Sequence, residues 1–281
     1  MTLSKSLYIR GLQCEKSLWL KKKKPEVLQA PDDSAQAVFD TGTSVGELAC
    51  ELFSGGERIE YTGDFGSQMT KTKELIERGT KVIYEATFCF DGILVMVDIL
   101  RICEDGLIIN EVKSSTSVKE VYIDDASIQY YVISSLGYKV SGVNIIHIDN
   151  SYVRGEKLEL EKLFHTEDVT EQIMQKQAEI PQILNKFEEI LSKNVEPEVD
   201  IGPHCSDPYH CDAWEYCWCE QRGIPEYSIF NISRLRSDKK FDLYKSGIVK
   251  FEDIKELDKF NASQQIQIRS ELSKEQIIDK E

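Results

Sequence analysis

Asp98 and the triplet Glu111-Val112-Lys113 are the residues whose types and spacing could do chemistry together. Asp98 interrupts the apolar run Ile93-Leu94-Val95-Met96-Val97-Asp98-Ile99-Leu100, and Glu111 and Lys113 close the run Leu107-Ile108-Ile109-Asn110-Glu111-Val112-Lys113. Both runs have the composition of strands. An ionised carboxylate in such a run is costly unless it is paired, hydrogen-bonded or bound to a metal. Side chains alternate across a strand, so Glu111 and Lys113 share a face, and pairing of the two strands brings Asp98 to them. Two carboxylates and one ammonium on one sheet edge can hold a divalent cation and steady a charged oxyanion, the equipment for cutting a phosphodiester. Taken alone, Asp98 and Lys113 also read as a partly buried salt bridge.

The elements that must position these residues follow from periodicity. Residues 34–53 have helical spacing of Ala35, Val38, Phe39, Val45, Leu48, Ala49 and Leu52, weakened by Gly42 and Gly46. Residues 81–90 read as a strand, Asp91-Gly92 as a hairpin turn, 93–103 as a second strand, Glu104-Asp105-Gly106 as another turn, and the third strand ends at Lys113. A helix over 121–136, a strand over 139–148 and a long amphipathic helix over 168–193, kinked at Pro181, complete the core. The helical connection from third to fourth strand predicts a parallel pairing, hence an α/β fold with a mixed sheet flanked by helices.

Eight cysteines fall into two groups. Cys50, Cys89 and Cys103 lie in periodic apolar segments and read as small core residues, whereas Cys205, Cys211, Cys217 and Cys219 crowd a short loop and Cys14 stands alone near the start. Cytosolic thiols stay reduced, so clustering there suggests metal ligation before disulfides. Cys205, Cys211 and Cys217 have five residues between each, unlike the close pairs of a zinc ribbon. A cubane iron–sulfur cluster with a fourth thiolate from Cys219 or Cys14, a zinc site completed by His204 or His210, and a metal-free loop all remain open on spacing alone.

Hydrophobic residues at 41% and charged residues at 30% are ordinary for a water-exposed globular protein, no apolar run is long enough for a bilayer, and residues 1–10 lack the apolar core of a secretory signal, so the expected location is cytoplasmic. The net charge of -15 argues mildly against a nucleic-acid partner. The distribution softens that: Lys5, Arg10, Lys16 and Lys21 to Lys24 face only Glu15 in residues 1–24, and Arg234, Arg236, Lys239, Lys240, Lys245 and Lys250 face Asp238 and Asp242 in 231–250. Local phosphate contacts are therefore compatible with the acidic whole, and Lys21 to Lys24 read equally as a solvated loop.

With these residues in view, the chain resembles the PD-(D/E)XK superfamily, specifically the RecB-type nucleases, and within them the iron–sulfur branch that includes CRISPR adaptation nucleases and the AddB nuclease domain. It is most similar to a bacterial family in which such a domain precedes a ribonuclease-H-like exonuclease domain. The match covers roughly residues 5–220. The resemblance implies a restriction-endonuclease-like sheet; Asp98 and Glu111, with the Val112 carbonyl, as ligands of Mg²⁺ or Mn²⁺; Lys113 and Gln129 as catalytic partners; and Cys14, Cys205, Cys211 and Cys217 as ligands of a structural [4Fe-4S] cluster. Two departures stand out. The family's first-helix His has no counterpart in Gly42-Thr-Ser-Val-Gly46-Glu47, where Glu47 is the nearest carboxylate, and the Tyr four residues after the Gln is here Ile133, flanked by Tyr130 and Tyr131 earlier in the helix. Glu85, on the preceding strand, is either a supporting carboxylate or a plain strand residue.

The expectation is a metal-dependent DNA nuclease, an exonuclease on single-stranded or free-ended DNA, occupying residues 1–222, with a helical appendage over 223–281 that could link to a second nuclease domain. Leu243 to Ile254 resembles a helix–glycine turn–helix that could touch phosphate, or an ordinary appendage. Competing readings are a nucleic-acid-binding or assembly module that keeps the fold without the rate, and an iron–sulfur redox protein.

Overall fold

The computed structural model describes residues 2–275, so the last part of the charged segment from Ser273 to Glu281 lies outside the described residues. The chain divides into two compact units, Met1–Leu18 with Pro31–Pro197, and Trp19–Ala30 with Glu198–Glu281.

The first unit runs β1 (Leu3–Ser4), α1 (Lys5–Gln13), the start of α2 (Glu15–Lys23), α3 (Asp33–Cys50), β2 (Glu57–Arg58), α4 (Phe65–Glu77), β3 (Val82–Phe90), β4 (Ile93–Cys103), β5 (Gly106–Lys113), α5 (Glu120–Ser135), β6 (Val140–Ile148), α6 (Leu160–Leu163), β7 (Phe164–Asp168), α7 (Thr170–Lys176) and α8 (Ile180–Ser192). Among the described residues one seven-stranded sheet has the order β2-β3-β4-β5-β6-β7, with β1 paired to β4. The meander β3-β4-β5 is antiparallel, α5 carries the chain to a parallel β6, and β7 returns antiparallel. The predicted mixed sheet and its parallel step are therefore present.

The sheet is covered on both faces. Ile83, Ala86, Val97, Leu100, Ile109 and Ile145 pack with Tyr8, Ile128, Val132 and Phe187 on the α1 and α5 side. Tyr84, Ile99, Ile146 and Phe164 pack with Ala49 on the α3 side. Strict alternation would put Tyr84 and Ala86 on one face. They lie on opposite faces because Glu85 has a positive φ of 59° and drops out of the register between Tyr84↔Ile99 and Ala86↔Val97. This kink, costly for a residue other than glycine, turns the two strands at the level of Asp98.

Three expectations change. The helix over 168–193 is two helices, α7 and α8, because Pro181 sits in the first turn of α8, where its missing N–H costs no hydrogen bond, and so starts a helix rather than kinking one. Phe164–Asp168, α4 and the N-terminal helices were not evident from periodicity. Cys50, Cys89 and Cys103 are half-buried rather than enclosed.

The second unit has two apolar centres. Ile201, Cys205, Trp218, Ile224 and Phe241 form one, and Ile229, Ile232, Phe251, Ile254, Phe260 and Ile268 the other. Its helices are α9 (Ser237–Lys245) and α10 (Ala262–Ser273), the latter capped by Asn261 and Gln264. Residues 198–222, grouped with the nuclease core in the sequence reading, share their packing with Phe241 and Tyr244. The glycine turn exists, with Gly247 at φ 80°, but between it and Ile254 the chain forms a 3-10 turn, Phe251–Asp253, and not a second helix. The Asp253 carboxylate accepts from Val249 and Lys250 N–H (2.9 and 2.7 Å), holding this segment in a tight turn in place of a second helix.

Candidate active site

The site forms where β4 and β5 part. Their ladder ends at Ile99↔Asn110; beyond it Val112 N–H donates to Asp98 Oδ2 at 2.7 Å instead of to a β4 carbonyl. On the side of β4 that β5 leaves, β1 pairs in parallel, Leu3↔Ile93, and Leu3 N–H donates to Gly92 O (2.9 Å). The chain enters α1 directly from β1, so Lys5 in its first turn reaches the gap. Its Nζ is 2.8 Å from Glu111 Oε1 and 3.4 Å from Asp125 Oδ1. Lys113 Nζ lies 2.7 Å from Glu111 Oε1 and 2.5 Å from Asp125 Oδ2. Gln129 Nε2 donates to Glu111 Oε2 at 2.7 Å. Glu111 and Gln129 are 2% and 0% exposed, so these are charges and amides removed from water.

Burial and the neighbouring Glu111 push the Asp98 carboxyl up to about 7, with Lys5, Lys113 and the Val112 N–H opposing. Burial would raise Glu111 too, but Lys113 and Lys5 outweigh it and hold Glu111 well below the usual carboxylate range. Asp125 is raised by burial and by Glu111, against Lys5 and Lys113. Both lysines stay cationic: burial pulls each down, and the facing carboxylates more than compensate. Three carboxylates thus face two ammoniums, and the fully ionised set has an excess negative charge that a divalent cation would neutralise.

The side chains fit such an ion. Gln129 Oε1 is buried with no hydrogen-bond donor, an arrangement that costs free energy until a cation's water shell supplies one, and Asp125 Oδ1 has only the 3.4 Å ion pair with Lys5. All four expected residues, Asp98, Glu111, Lys113 and Gln129, therefore converge. Lys5 and Asp125 were missed. Asp125 had a signal, since it precedes Gln129 by four residues and must share its helix face. Lys5 had none, because only the β1–β4 pairing brings it there.

Other candidates separate. Glu47 is exposed on α3. Tyr130 and Tyr131 pack against the α5-side core, Tyr131 edge-on to Phe90 at 6.3 Å. Glu85 sits at the kink, 3.9 Å from Arg58, its carboxyl raised by burial while Arg58 and Lys5 draw it down.

Among the thiols, Cys14 belongs to the first unit and Cys205, Cys211 and Cys217 to the second. Cys14 ends α1, and its Sγ accepts from Ser17 N–H at 3.5 Å. In the second unit Cys211 N–H donates to Cys205 O (3.0 Å), closing the loop, and Cys217 and Cys219 lie on a π-turn, Glu215–Glu220, around Trp218. Trp218 stacks on Trp214 at 3.6 Å, and its buried indole N–H lies beside the Cys205 sulfur, whose ionised form it favours. Burial pushes the Cys205 thiol up.

No protein-family model matches this chain, and no curated protein matches it. Among solved structures it is similar to a protein designated SSO0001, with 11% identity over 70% of this chain and 79% of that one, at a TM-score of 0.35. It is also similar to an alkaline exonuclease, LHK-Exo, from Laribacter hongkongensis, with 15% identity over 63% of this chain and 88% of that one at a TM-score of 0.28, and to the same exonuclease in complex with dAMP, with 14% identity, 68% and 90% coverage and a TM-score of 0.29. These likenesses are slight, and the chemistry below is drawn from the geometry of this site. No helix among the described residues is long and apolar enough to cross a membrane.

Proposed function

We propose that the chain is a metal-dependent nuclease that hydrolyses phosphodiester bonds of DNA at the splayed end of β4 and β5, acting as an exonuclease on single-stranded or free-ended substrate. The observation that carries this reading is the convergence of Asp98, Glu111, Lys113 and Gln129, with the buried Gln129 Oε1 lacking a donor. Bound through Asp98, Glu111 and the Val112 carbonyl, Mg²⁺ or Mn²⁺ would polarise the scissile phosphate and make a water nucleophilic at neutral pH. Lys113 and Lys5 supply fixed positive charge where negative charge grows on phosphate oxygens. The Gln129 amide, anchored through its Nε2 to Glu111, turns its free Oε1 toward the site and orients the attacking water. Asp125 holds the Lys113 ammonium in place.

The test is cleavage of end-labelled single- and double-stranded DNA with Mn²⁺, Mg²⁺ or EDTA. Cutting should require the metal and fall on the order of 10²–10³-fold in Asp98→Ala and in Lys113→Ala. Undiminished cutting in both variants would overturn the assignment. Tight DNA binding with no cutting by the unmodified protein would favour the binding or assembly module instead.

The resemblance extends the proposal to a structural [4Fe-4S] cluster on Cys14, Cys205, Cys211 and Cys217. The donor set is the right one, four thiols, and the buried Trp218 indole N–H beside Cys205 suits a sulfur acceptor. Anaerobically purified protein should be brown, and Cys205→Ser should lose both the colour and stability.

A further inference from the structure

Away from Asp98 and Glu111, β6 and β7 bring together a second set of metal-competent groups. His147 and His165 are cross-strand partners, and Glu167 stands opposite Ile145 two residues along, on the same face. One ligand atom from each of His147, His165 and Glu167 lies within 4.8 Å of the others. The imidazole centroids are 5.2 Å apart, and His147 Nε2 is 3.8 Å from Glu167 Oε2.

The hydrogen bonding of His147 gives this grouping its direction. His147 Nδ1 is 3.2 Å from the Ile148 carbonyl oxygen. A carbonyl only accepts, so Nδ1 carries a proton, and in the neutral form of the ring the lone pair is at Nε2. That lone pair faces the Glu167 carboxylate, acceptor against acceptor, with the His165 ring alongside. A cation between them satisfies all three. Anchoring of the remote ring nitrogen on a backbone carbonyl is the arrangement that orients histidine ligands at metal sites. His147 is 7% exposed, whereas His165 is exposed, so the site has one fixed wall and one open side.

We propose that His147, His165 and Glu167 bind one divalent transition-metal ion of the zinc class. Two imidazoles and one carboxylate suit Zn²⁺ and its neighbours better than Mg²⁺ or Ca²⁺, and three protein ligands leave a fourth position for water or an anionic ligand. The ion clamps the short edge strand β7 to β6. His147 is also the register partner of Lys113, so the open position lies on the Glu111 side of the sheet, one strand away. The site is independent of the nuclease reading and stands or falls by metal binding.

The experiment is titration of chelator-stripped full-length protein with Co²⁺, read by visible absorption. The proposal expects one tetrahedral Co²⁺ whose ligand-field bands lack thiolate charge transfer, displaced by Zn²⁺. Those bands should persist in Asp98→Ala and disappear in His165→Ala and Glu167→Gln. Both latter side chains reach solvent, and unchanged far-UV circular dichroism confirms their folding. Bands that survive in His165→Ala and Glu167→Gln, bands lost in Asp98→Ala, or Co²⁺ spectra showing only thiolate ligation would each overturn it.

Discussion

Lys5 shows how a single residue gains a role from its surroundings. In sequence it is one of several lysines near the N-terminus; in the structure it is the second ammonium on Glu111 and also meets Asp125. Replacing it by Met leaves two buried carboxylates to share Lys113. We expect Lys5→Met to lower stability by about 1–3 kcal/mol, the cost of an under-satisfied buried charge, by urea denaturation of the metal-free protein. If Lys5 also acts on phosphate, cleavage falls in the same variant at temperatures where it remains folded; unchanged cleavage would confine Lys5 to structure. Asp125 was missed as well, but unlike Lys5 it had a signal, since it lies four residues before Gln129 and residues four apart on a helix project together.

At the scale of elements, the site depends on how closely α1 and α8 approach. A Cβ on Gly11 would stand 2.5 and 2.7 Å from the Phe187 ring and 2.9 Å from Leu18, inside contact distance. Gly11→Ala should therefore cost about 1–3 kcal/mol through overpacking and displace the helix that delivers Lys5. Gly46 in α3 gives the opposite sign. It meets nothing within 4 Å, so Gly46→Ala should gain about 0.5–1 kcal/mol by removing glycine's backbone freedom from a helix interior. Denaturant midpoints of the two variants test the pair, and equal effects would refute the packing account. The same scale explains the missed kink: Glu85 lies in a run of strand formers, and nothing local requires a positive φ there. Its neighbours impose it by keeping Ala86 and Val97 in one core and Tyr84 and Ile99 in the other.

For the whole molecule the governing quantity is charge. The formal net charge is -15, and both basic stretches, Lys21 to Lys24 and Arg234 to Lys250, belong to the second unit. The unit with the candidate site therefore carries most of the acidic excess. A unit so charged repels DNA at long range, and salt relieves that repulsion as the Debye length falls from about 30 Å at 0.01 M to about 8 Å at 0.15 M. Association with single-stranded DNA, followed by stopped-flow with metal present, should accelerate over that range. A steep slowdown instead would mean that the basic stretches dominate encounter.

The sequence by itself determined the meander and the parallel step through α5 and singled out Asp98, Glu111 and Lys113, because strand alternation, turn residues and helical period are local and a carboxylate in an apolar run must find a partner; Gln129 was named only by the resemblance. It misread 168–193 as one helix, since Pro181 is compatible with a kink or a start and only the surrounding fold selects between them. Tertiary structure alone decided what rests on distant pairings. It joined β1 to β4 so that Lys5 enters the site, kinked the sheet at Glu85, and set β7 against β6 so that His165 and Glu167 meet His147. Each joins residues far apart in the chain, and their contact free energy is realised only when the whole sheet closes.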